Sequence, residues 1–348
     1  MARITINAPK VFWLVGDVTF EKIAELKKCL YKCEIEGSEL ICMISSNGGA
    51  VHSVADLRAT LKQLNVHFTT VGYGLITSIA AAIFAMGDDR ALMDGATLII
   101  TEVGDNVLDI YKDKTMVSDE IWKEKVVDSP KENWDVRKNE LRKYGFVNQN
   151  YSTVARKIVS AYEEELPPAH PYFFSEEFDV ASATKTISYI YQCAAYDESA
   201  IMEICSAGGS ASFLRAIIDT LRATKVDLVA IGGGVVGSAA AILFLTAKVR
   251  ALKEGTHFML HKIYCITADN VGMQYDDLIR LGIEIRADNV GLERLWNPNT
   301  SISLEEYHKK VEGGRDWVPS EEEWKKYGII TIQYDELHKL ILEVMKSE

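Results

Sequence analysis

The order of apolar and polar positions divides the chain into alternating strands and helices, and this order occurs twice. Short apolar runs predict strands at residues 11–15, 39–45 and 66–71, and again at 171–175, 200–205 and 226–231. Apolar residues spaced three or four apart predict amphipathic helices at 19–33, 51–64, 179–193 and 211–223. Strands that alternate with helices of this length form right-handed βαβ units. The pattern therefore predicts an α/β fold with a mostly parallel sheet in each copy.

A single offset of 160 residues relates the two copies from about residue 11 to residue 101. SNGG at 46–49 returns as SAGG at 206–209, and the serine at 78 returns at 238. A register held over this length indicates an internal duplication. We expect two domains, residues 1–148 and 171–348. A charged, helical-looking linker at 149–170, closed by Pro167-Pro168, joins them.

Composition limits the classes of partner. The 348 residues are 48% hydrophobic and 25% charged, which suits two ordinary globular cores. A net charge of −12 argues against a nucleic-acid partner, because phosphate binding needs clustered lysine and arginine. Six cysteines without CxxC spacing suggest buried free thiols in a reducing compartment. The first ten residues lack the apolar core of a signal peptide, so we expect a cytoplasmic protein.

One uncharged stretch, residues 228–247, allows two other interpretations. Its twenty residues are long enough to span a bilayer. Its glycine cluster would break such a helix, however, and both copies carry the interruption, so no membrane partner is expected. Gly232, Gly234 and Gly237 also satisfy the weak dinucleotide pattern GxGxxG. The first copy has Thr77 in place of the third glycine but keeps the following serine, so neither cofactor nor metal is predicted.

The second copy alone carries a base for that serine. Ser238 follows the glycine-rich segment at a predicted helix start, and His261 ends the strand-like run 256–260. A serine hydroxyl becomes a good nucleophile when a nearby base accepts its proton. At the same offset the first copy has Ser78 but Thr101. If each residue is considered alone, the serine is explained as a small residue that allows close helix packing, and the histidine is explained as a core residue.

The runs SAGG, GVVGSAA and MLH together resemble the ClpP family of serine peptidases, the proteolytic component of Clp machines. The stretch GGRDW, followed by KKYGII, resembles the family's C-terminal segment. The resemblance implies tandem ClpP/crotonase-like βαβ superhelix domains. It also implies a triad of Ser238, His261 and Asp316, with an oxyanion hole formed by the backbone N–H groups of Gly209 and Ala239. The corresponding first-copy residues are Ser78, Thr101 and Asn133, which form a degenerate site.

On this basis the expected activity is that of a serine endopeptidase working only through the second copy. The alternative is a non-catalytic scaffold or regulatory subunit of a Clp-type complex. Crotonase-type acyl-CoA enzymes share the glycine turn, and related signal-peptide peptidases use a serine–lysine pair. Both fit less well, because His261 stands at the base position and no lysine replaces it.

The resemblance also implies partners, and here the sequence departs from the family. Peptides or unfolded proteins would be substrates, inside a homo-oligomeric ring or stacked double ring.

The spacing between base and acid differs in the two copies. Asp316 lies 55 positions after His261, but Asn133 lies 32 positions after Thr101. The missing segment corresponds to the family's handle helix, so only residues 271–296 would join rings. The short N-terminal segment counts against docking of an AAA+ unfoldase. Alternation of the copies in one ring and stacking of the copies both remain open.

Overall fold

The computed structural model describes residues 8–347 except 52, 102–104, 129–132, 164 and 263–274. The strands are β1 (Lys10–Val15), β2 (Leu40–Ser46), β3 (Phe68–Thr77), β4 (Asp89–Leu92), β5 (Thr97–Ile100), β6 (Trp134–Asp135), β7 (Tyr172–Phe174), β8 (Ala200–Ser206), β9 (Leu228–Gly237), β10 (Val249–Leu252) and β11 (His257–Met259). The α-helices are α1 (Phe20–Glu36), α2 (Ser53–Gln63), α3 (Ile79–Ala85), α4 (Asp105–Lys114), α5 (Asp119–Trp122), α6 (Lys138–Lys143), α7 (Tyr151–Tyr162), α8 (Val180–Ala195), α9 (Ala211–Thr224), α10 (Ala239–Thr246), α11 (Tyr275–Trp296), α12 (Leu304–Lys310), α13 (Glu321–Lys326) and α14 (Tyr334–Ser347). In this described part, no helix is long and apolar enough to cross a membrane.

The strands form two sheets. The first has the order β1-β2-β3-β5-β6, with β4 also on β3, and only its β5–β6 pairing is antiparallel. The second has the order β10-β9-β8-β7, with β11 also on β9, and its strand pairs are parallel. The predicted α/β fold with mostly parallel sheets is confirmed.

The two sheets share their register as well as their order. The β2–β3 pairing shifts between Ile44 and Ser46, and the β8–β9 pairing shifts between Ile204 and Ser206. Beyond β5 and β11 the offset changes from 160 to 183. Ile100 pairs with Trp134 in the first sheet, and Leu260 forms an antiparallel bridge with Trp317 in the second. The additional 23 residues of the second copy therefore lie between the base and acid positions.

The glycine-rich segments are strands rather than turns. The predicted end of the third strand, at residue 71 in the first copy and 231 in the second, is wrong. β3 and β9 continue to Thr77 and Gly237, directly before the serine. A Cβ on Gly232 would lie 2.4 Å from the Leu252 side chain, so the glycine permits close packing of neighbouring strands. The short strands β4 and β10 were not predicted.

The chain forms two compact units that are interleaved in sequence. The first contains residues 1–168, 179–198 and 211–226, so α8 and α9 belong to it. Its core includes apolar side chains from α1, α2 and α3 with aromatic residues before and after β6. The second contains residues 169–178, 199–210 and 227–348. Within it, α14 packs Leu337 and Ile341 against Ile231 and Ala251. The segment predicted as a linker contains the helix α7.

One buried arginine occupies the same place in each unit. Arg250 donates hydrogen bonds to four main-chain carbonyls, those of Ala247, Asn299, Gly328 and Ile329. Arg90 likewise bonds the carbonyls of Gly87, Lys114, Gly145 and Phe146. Burial lowers the pKa of both guanidinium groups. These hydrogen bonds fasten the Tyr-Gly segment after α6 or α13 to the neighbouring strand.

The cysteines only partly follow the sequence-based expectation of burial. Cys33, Cys42 and Cys193 are buried free thiols, and Cys29 is half-buried. Cys205 is exposed, because it lies on the open side of β8. Cys265 lies outside the described residues, as does the beginning of the predicted helix 271–296. That helix is present from Tyr275 onward.

Candidate active site

The backbone at Ser238 is strained. Ser238 lies between the end of β9 and the start of α10, with φ 54° and ψ −122°. A non-glycine residue in this region costs on the order of 1–3 kcal/mol, so its surroundings must hold it. Its N–H donates to the carbonyl of Met259 at 3.0 Å. A Cβ on Gly208 would lie 2.6 Å from the Cβ of Ser238, so only glycine fits beneath the serine. The hydroxyl makes no capping hydrogen bond to α10.

The strand beside Ser238 leads directly to His261, whose register position is opposite Asp316. β11 runs parallel to β9, with Met259 opposite Gly237. The next residue, Leu260, exchanges both main-chain hydrogen bonds with Trp317, at 3.0 and 2.8 Å. In an antiparallel pair the following residues are direct neighbours, with Cβ atoms about 4.5–5.5 Å apart. This register places His261 across from Asp316.

The described contact of His261 defines its neutral tautomer. The Nδ1 atom lies 2.6 Å from the carbonyl oxygen of Lys262. A carbonyl can only accept a hydrogen bond, so Nδ1 carries the proton and Nε2 carries the lone pair in the neutral ring. This is the tautomer that a general base needs. In a complete triad the same Nδ1–H would donate to the Asp316 carboxylate instead. His261 is half-buried, and Asp316 is exposed.

The Gly-Gly turn presents a main-chain donor beside the serine. Phe178 pairs with Gly209 through the carbonyl of Gly208 and the N–H of Ser210, both at 2.9 Å. In a parallel pair, the N–H of Gly209 then points to the other side of the strand. Ser206 braces the turn, because its Oγ accepts from the Gly208 N–H and donates to the Glu176 carbonyl.

A second donor comes from the start of α10. Ala239 is the first residue of that helix, and the N–H groups of a first helical turn have no acceptor within the helix. A Cβ on Gly208 would lie 3.0 Å from the Ala239 nitrogen, so this N–H lies close to the Gly-Gly turn. The Ala239 N–H and the Gly-Gly turn therefore lie beside Ser238.

The first copy keeps the strained serine but lacks the titratable pair. Ser78 has φ 55° and ψ −128°, nearly the same as Ser238, and Gly49 pairs with Val18 as Gly209 pairs with Phe178. Because Ile100 pairs with Trp134, the register places Thr101 across from Asn133. Neither side chain can accept a proton near neutral pH or supply a negative charge. The geometry of the serine is preserved without its base.

One acidic cluster has the composition of a metal site but already contains a cation. Glu39, His67 and Asp89 place possible ligand atoms within 4.8 Å of one another. The Lys157 ammonium lies 3.0 Å from Glu39 and 3.5 Å from Asp89. Burial alone would raise the pKa of Asp89, but hydrogen bonds from His67 and Gln149 outweigh it and hold the pKa below its usual value. These contacts satisfy the carboxylates as an ion-pair network.

Three supporting features were missed from the sequence: the strain at the serine, the Ser206 brace and the Lys262 carbonyl. The repeated serine three residues before Gly49 and Gly209 was a signal for the brace. Backbone strain and the ring orientation of a histidine have no comparable sequence signal.

Fold and site together define an α/β protein with a strained serine between a strand and a helix, and with a histidine two residues beyond the end of the neighbouring strand. The family model for Clp protease matches residues 162–334. The chain belongs to the Clp protease family through this region.

Two curated relatives match about the same share of the chain. It is 28% identical over 154 residues to ATP-dependent Clp protease proteolytic subunit 1 of Thermobifida fusca (strain YX), covering 44% of this chain and 65% of the relative. It is 32% identical over 136 residues to ATP-dependent Clp protease proteolytic subunit 2 of Frankia casuarinae (strain DSM 45818 / CECT 9043 / HFP020203 / CcI3), covering 38% and 60%. Each match spans less than two thirds of the relative's own length.

Proposed function

We propose that the protein is a ClpP-type serine endopeptidase whose second copy alone is catalytic. One observation carries the proposal: a single stretch of backbone holds the nucleophile and orders the other two groups. The Met259 carbonyl accepts from the N–H of Ser238 and Leu260 bridges to Trp317. His261 follows Leu260 and Asp316 precedes Trp317, so the two residues are neighbours in this antiparallel register. The family match over residues 162–334 supports the same assignment.

The reaction would begin with attack of the Ser238 Oγ on the carbonyl carbon of a peptide bond. His261 would accept the hydroxyl proton on Nε2 and later donate it to the leaving amine. The N–H groups of Gly209 and Ala239 would stabilise the negative charge on the carbonyl oxygen, each contributing about 3–4 kcal/mol. For full activity the ring of His261 must turn its Nδ1–H from Lys262 toward Asp316, which stabilises the imidazolium.

The first copy is proposed to be a catalytically silent product of duplication. The identical register at offset 160, together with the shared strain at Ser78 and Ser238, supports a common origin. The first copy has no imidazole at the base position, and loss of the base alone lowers the rate by several orders of magnitude. The domain division at 1–148 and 171–348, with a linker between them, belongs to this proposal.

The substrate is proposed to be an unfolded protein or peptide that reaches Ser238 within a homo-oligomeric chamber in the cytoplasm. The relatives' names describe proteolytic subunits of ATP-dependent proteases. An AAA+ unfoldase is therefore the partner class to test. The long helix α11 lies between the base and acid positions of the second copy, where the described part of the first copy has the shorter α4 and α5, and it is proposed to join stacked rings.

Covalent labelling with a serine-directed fluorophosphonate, read out by intact mass, tests the proposal. We expect one adduct on the wild type, none on Ser238→Ala or His261→Ala, and one on the matched control Ser78→Ala. Adduct formation that depends on Ser78 would contradict the silent first copy. Absence of any adduct on a folded, assembled wild type would overturn the peptidase proposal.

The second candidate is a non-catalytic scaffold, and one observation favours it. The Nδ1 of His261 faces the neutral Lys262 carbonyl, and Asp316 is exposed. If this arrangement persists, the Nδ1–H stays on the Lys262 carbonyl and does not donate to the Asp316 carboxylate. Labelling of Asp316→Asn separates the candidates. A loss of at least about 100-fold in labelling rate indicates an assembled triad, whereas wild-type reactivity indicates that the aspartate takes no part.

A further inference from the structure

In the first unit, the helices α8 and α9 cover one face of the first sheet. The hydroxyl of Tyr73 on β3 lies 2.7 Å from the Thr184 hydroxyl on α8. The ring of Phe213 on α9 packs edge-on against Tyr73, with a centroid separation of 6.5 Å. Gly74 is buried beneath the same ring, since a Cβ there would lie 2.3 Å from it. Trp13 on β1 completes the face, 5.9 Å from Tyr73.

A tyrosine cluster extends this contact to α7. The buried hydroxyl of Tyr151 lies 2.6 Å from the Tyr191 hydroxyl on α8 and 3.0 Å from the Thr220 hydroxyl on α9. Tyr162 stacks on Tyr191 at 5.6 Å and shares a hydrogen bond with Ser188. The first sheet and α7 thus provide a complete docking surface for a pair of helices.

The corresponding surface of the second unit is open. Phe173, the counterpart of Trp13, is 64% exposed. Gly234 and Cys205 are exposed, whereas their counterparts Gly74 and Ser45 are buried. The main-chain N–H of Arg90 donates to the side chain of residue 148, and that of Arg250 donates to the side chain of residue 331, so the offset of 183 extends to these positions. At this offset Tyr334, at the start of α14, corresponds to Tyr151.

A cleft marks the place where helices would dock. Tyr334 is only half-buried and lines an open cleft of about 620 Å³ beside Lys253 and Glu254. Its counterpart Tyr151 is enclosed by Tyr191 and Thr220, whereas in the described part of the chain Tyr334 has no hydroxyl partner of this kind and borders the cleft instead. The residues that a helix pair would bury are therefore present without the helices.

The matching helix face is also exposed. α1 and α2 correspond to α8 and α9 at offset 160. Ala24, Lys28 and Tyr31 on α1 stand where α8 has Thr184, Ser188 and Tyr191, and all three are exposed. Tyr31 is 46% exposed, and Ile35, one turn further, is 85% exposed. Exposed aromatic and aliphatic side chains grouped on one helix face are typical of an interaction site.

We propose that a second copy of this chain docks the exposed face of its α1 and α2 onto the open face of the second sheet and α14. The contact would reproduce the arrangement of α8 and α9 on the first sheet, with Tyr31 beside Tyr334 as Tyr191 lies beside Tyr151. Charge favours it, because Glu254, Glu321, Glu322 and Asp335 outnumber Lys253 and Lys325 around the cleft. Lys28, which is exposed, lies one turn before Tyr31 on the same face of the docking helix.

This contact joins two different surfaces, so it is heterologous and repeats from chain to chain until a ring closes or a filament grows. First and second copies would then alternate along one ring, and every active copy would lie between two silent ones. The inference rests on the homo-oligomer in the proposed function but not on its catalytic chemistry.

Photo-crosslinking tests the predicted neighbour. Tyr31 is replaced by p-benzoylphenylalanine, and equal amounts of isotopically light and heavy chains are assembled and irradiated. We expect crosslinks between light and heavy chains, ending on the peptide that contains Tyr334 or on β10. Crosslinks confined to one chain or ending on another surface would overturn the proposal, and so would a chain that stays monomeric at micromolar concentration.

Blocked variants test the geometry independently. Tyr31→Glu blocks the helix face, because a carboxylate there is repelled by the acidic cleft, and Phe173→Arg blocks the sheet face, while Val127→Glu and Leu304→Arg are matched exposed controls. We expect each blocked variant to fail to assemble alone. Mixed, they should form a two-chain complex with one of each, seen by native mass spectrometry. Wild-type assembly of either blocked variant, or no mixed complex, would refute the contact.

Fluorophosphonate labelling of the same samples separates the two proposals. Assembly at the predicted faces without labelling would contradict the peptidase alone. Labelling without assembly would contradict the interface alone.

Discussion

Substitution of Gly209 by alanine tests the oxyanion-hole geometry directly. Gly209 has φ 141°, a backbone conformation that residues with a Cβ rarely adopt. A Cβ there would lie 2.6 Å from the nitrogen and 2.9 Å from the oxygen of Phe178. Both distances fall well short of ordinary carbon contacts of about 3.5 Å, and the neighbours are backbone atoms with little freedom to move. The Gly-Gly turn must therefore shift by several tenths of an ångström or more.

A shift of this size would remove the Gly209 N–H from the position of the developing oxyanion. Loss of one such donor costs about 2.7–4 kcal/mol, or a factor of about 100–1,000 in rate. We expect Gly209→Ala to lower the second-order rate of fluorophosphonate labelling, and of peptide hydrolysis, by that factor. Thermal unfolding in parallel shows whether the chain remains folded.

Two controls separate this effect from general strain. Gly49→Ala creates the same clash in the first copy, where a Cβ would lie 2.3 Å from the Val18 carbonyl oxygen. It should reduce stability without changing the labelling rate. Gly255 has φ 73° but no neighbour within 4 Å, so Gly255→Ala adds mainly backbone strain. A folded Gly209→Ala protein that labels within about threefold of the wild type would refute the assignment of Gly209 as a donor.

Three other expectations follow from the described contacts. Arg250→Met leaves four carbonyls without their donor and should lower the free energy of unfolding by at least about 3 kcal/mol in urea titrations, with Arg90→Met as the matched variant; a loss below about 1 kcal/mol would contradict this. Because the pKa of Asp89 is held below its usual value, its contribution to stability is present at neutral pH and is lost as pH falls through the folded-state pKa. Asp89→Asn should therefore flatten the fall in stability on acidification, and an unchanged acid dependence would be inconsistent with the His67 and Gln149 contacts. Cys205 should react with a thiol reagent before Cys193, whose pKa burial raises to about 12, and mass mapping that finds Cys193 modified first would contradict the described exposures.

Much of the fold was predictable because hydrophobic periodicity records burial. The alternating strands and helices, and the existence of α8 and α9, followed from apolar spacing alone. The strand ends did not, because glycine was interpreted as a turn signal at 72–74 and 232–234. In β3 and β9 these glycines make room for side chains from neighbouring strands, and such tertiary packing overrides the local preference.

The candidate site, like the fold, was predictable from the sequence only in part. Ser238 and His261 were found through the repeat, and Asp316 only through a family resemblance, since a lone aspartate after two glycines carries no local signal. The bridge between Leu260 and Trp317 is a long-range pairing across 57 residues, beyond any periodicity analysis. The tautomer of His261 depends on the direction of one carbonyl, which the identity of Lys262 does not determine.

The interleaving of the two compact units bears on how the chain is made. The first unit needs residues 211–226, so it cannot be completed while a ribosome has released only the first copy. Domains usually fold in the order of synthesis, the N-terminal one first. Here the earlier half must wait, with the face of its sheet around Trp13 and Tyr73 uncovered, until α8 and α9 have emerged. During that interval the nascent chain exposes an aggregation-prone apolar surface, to which a chaperone that binds apolar segments would bind.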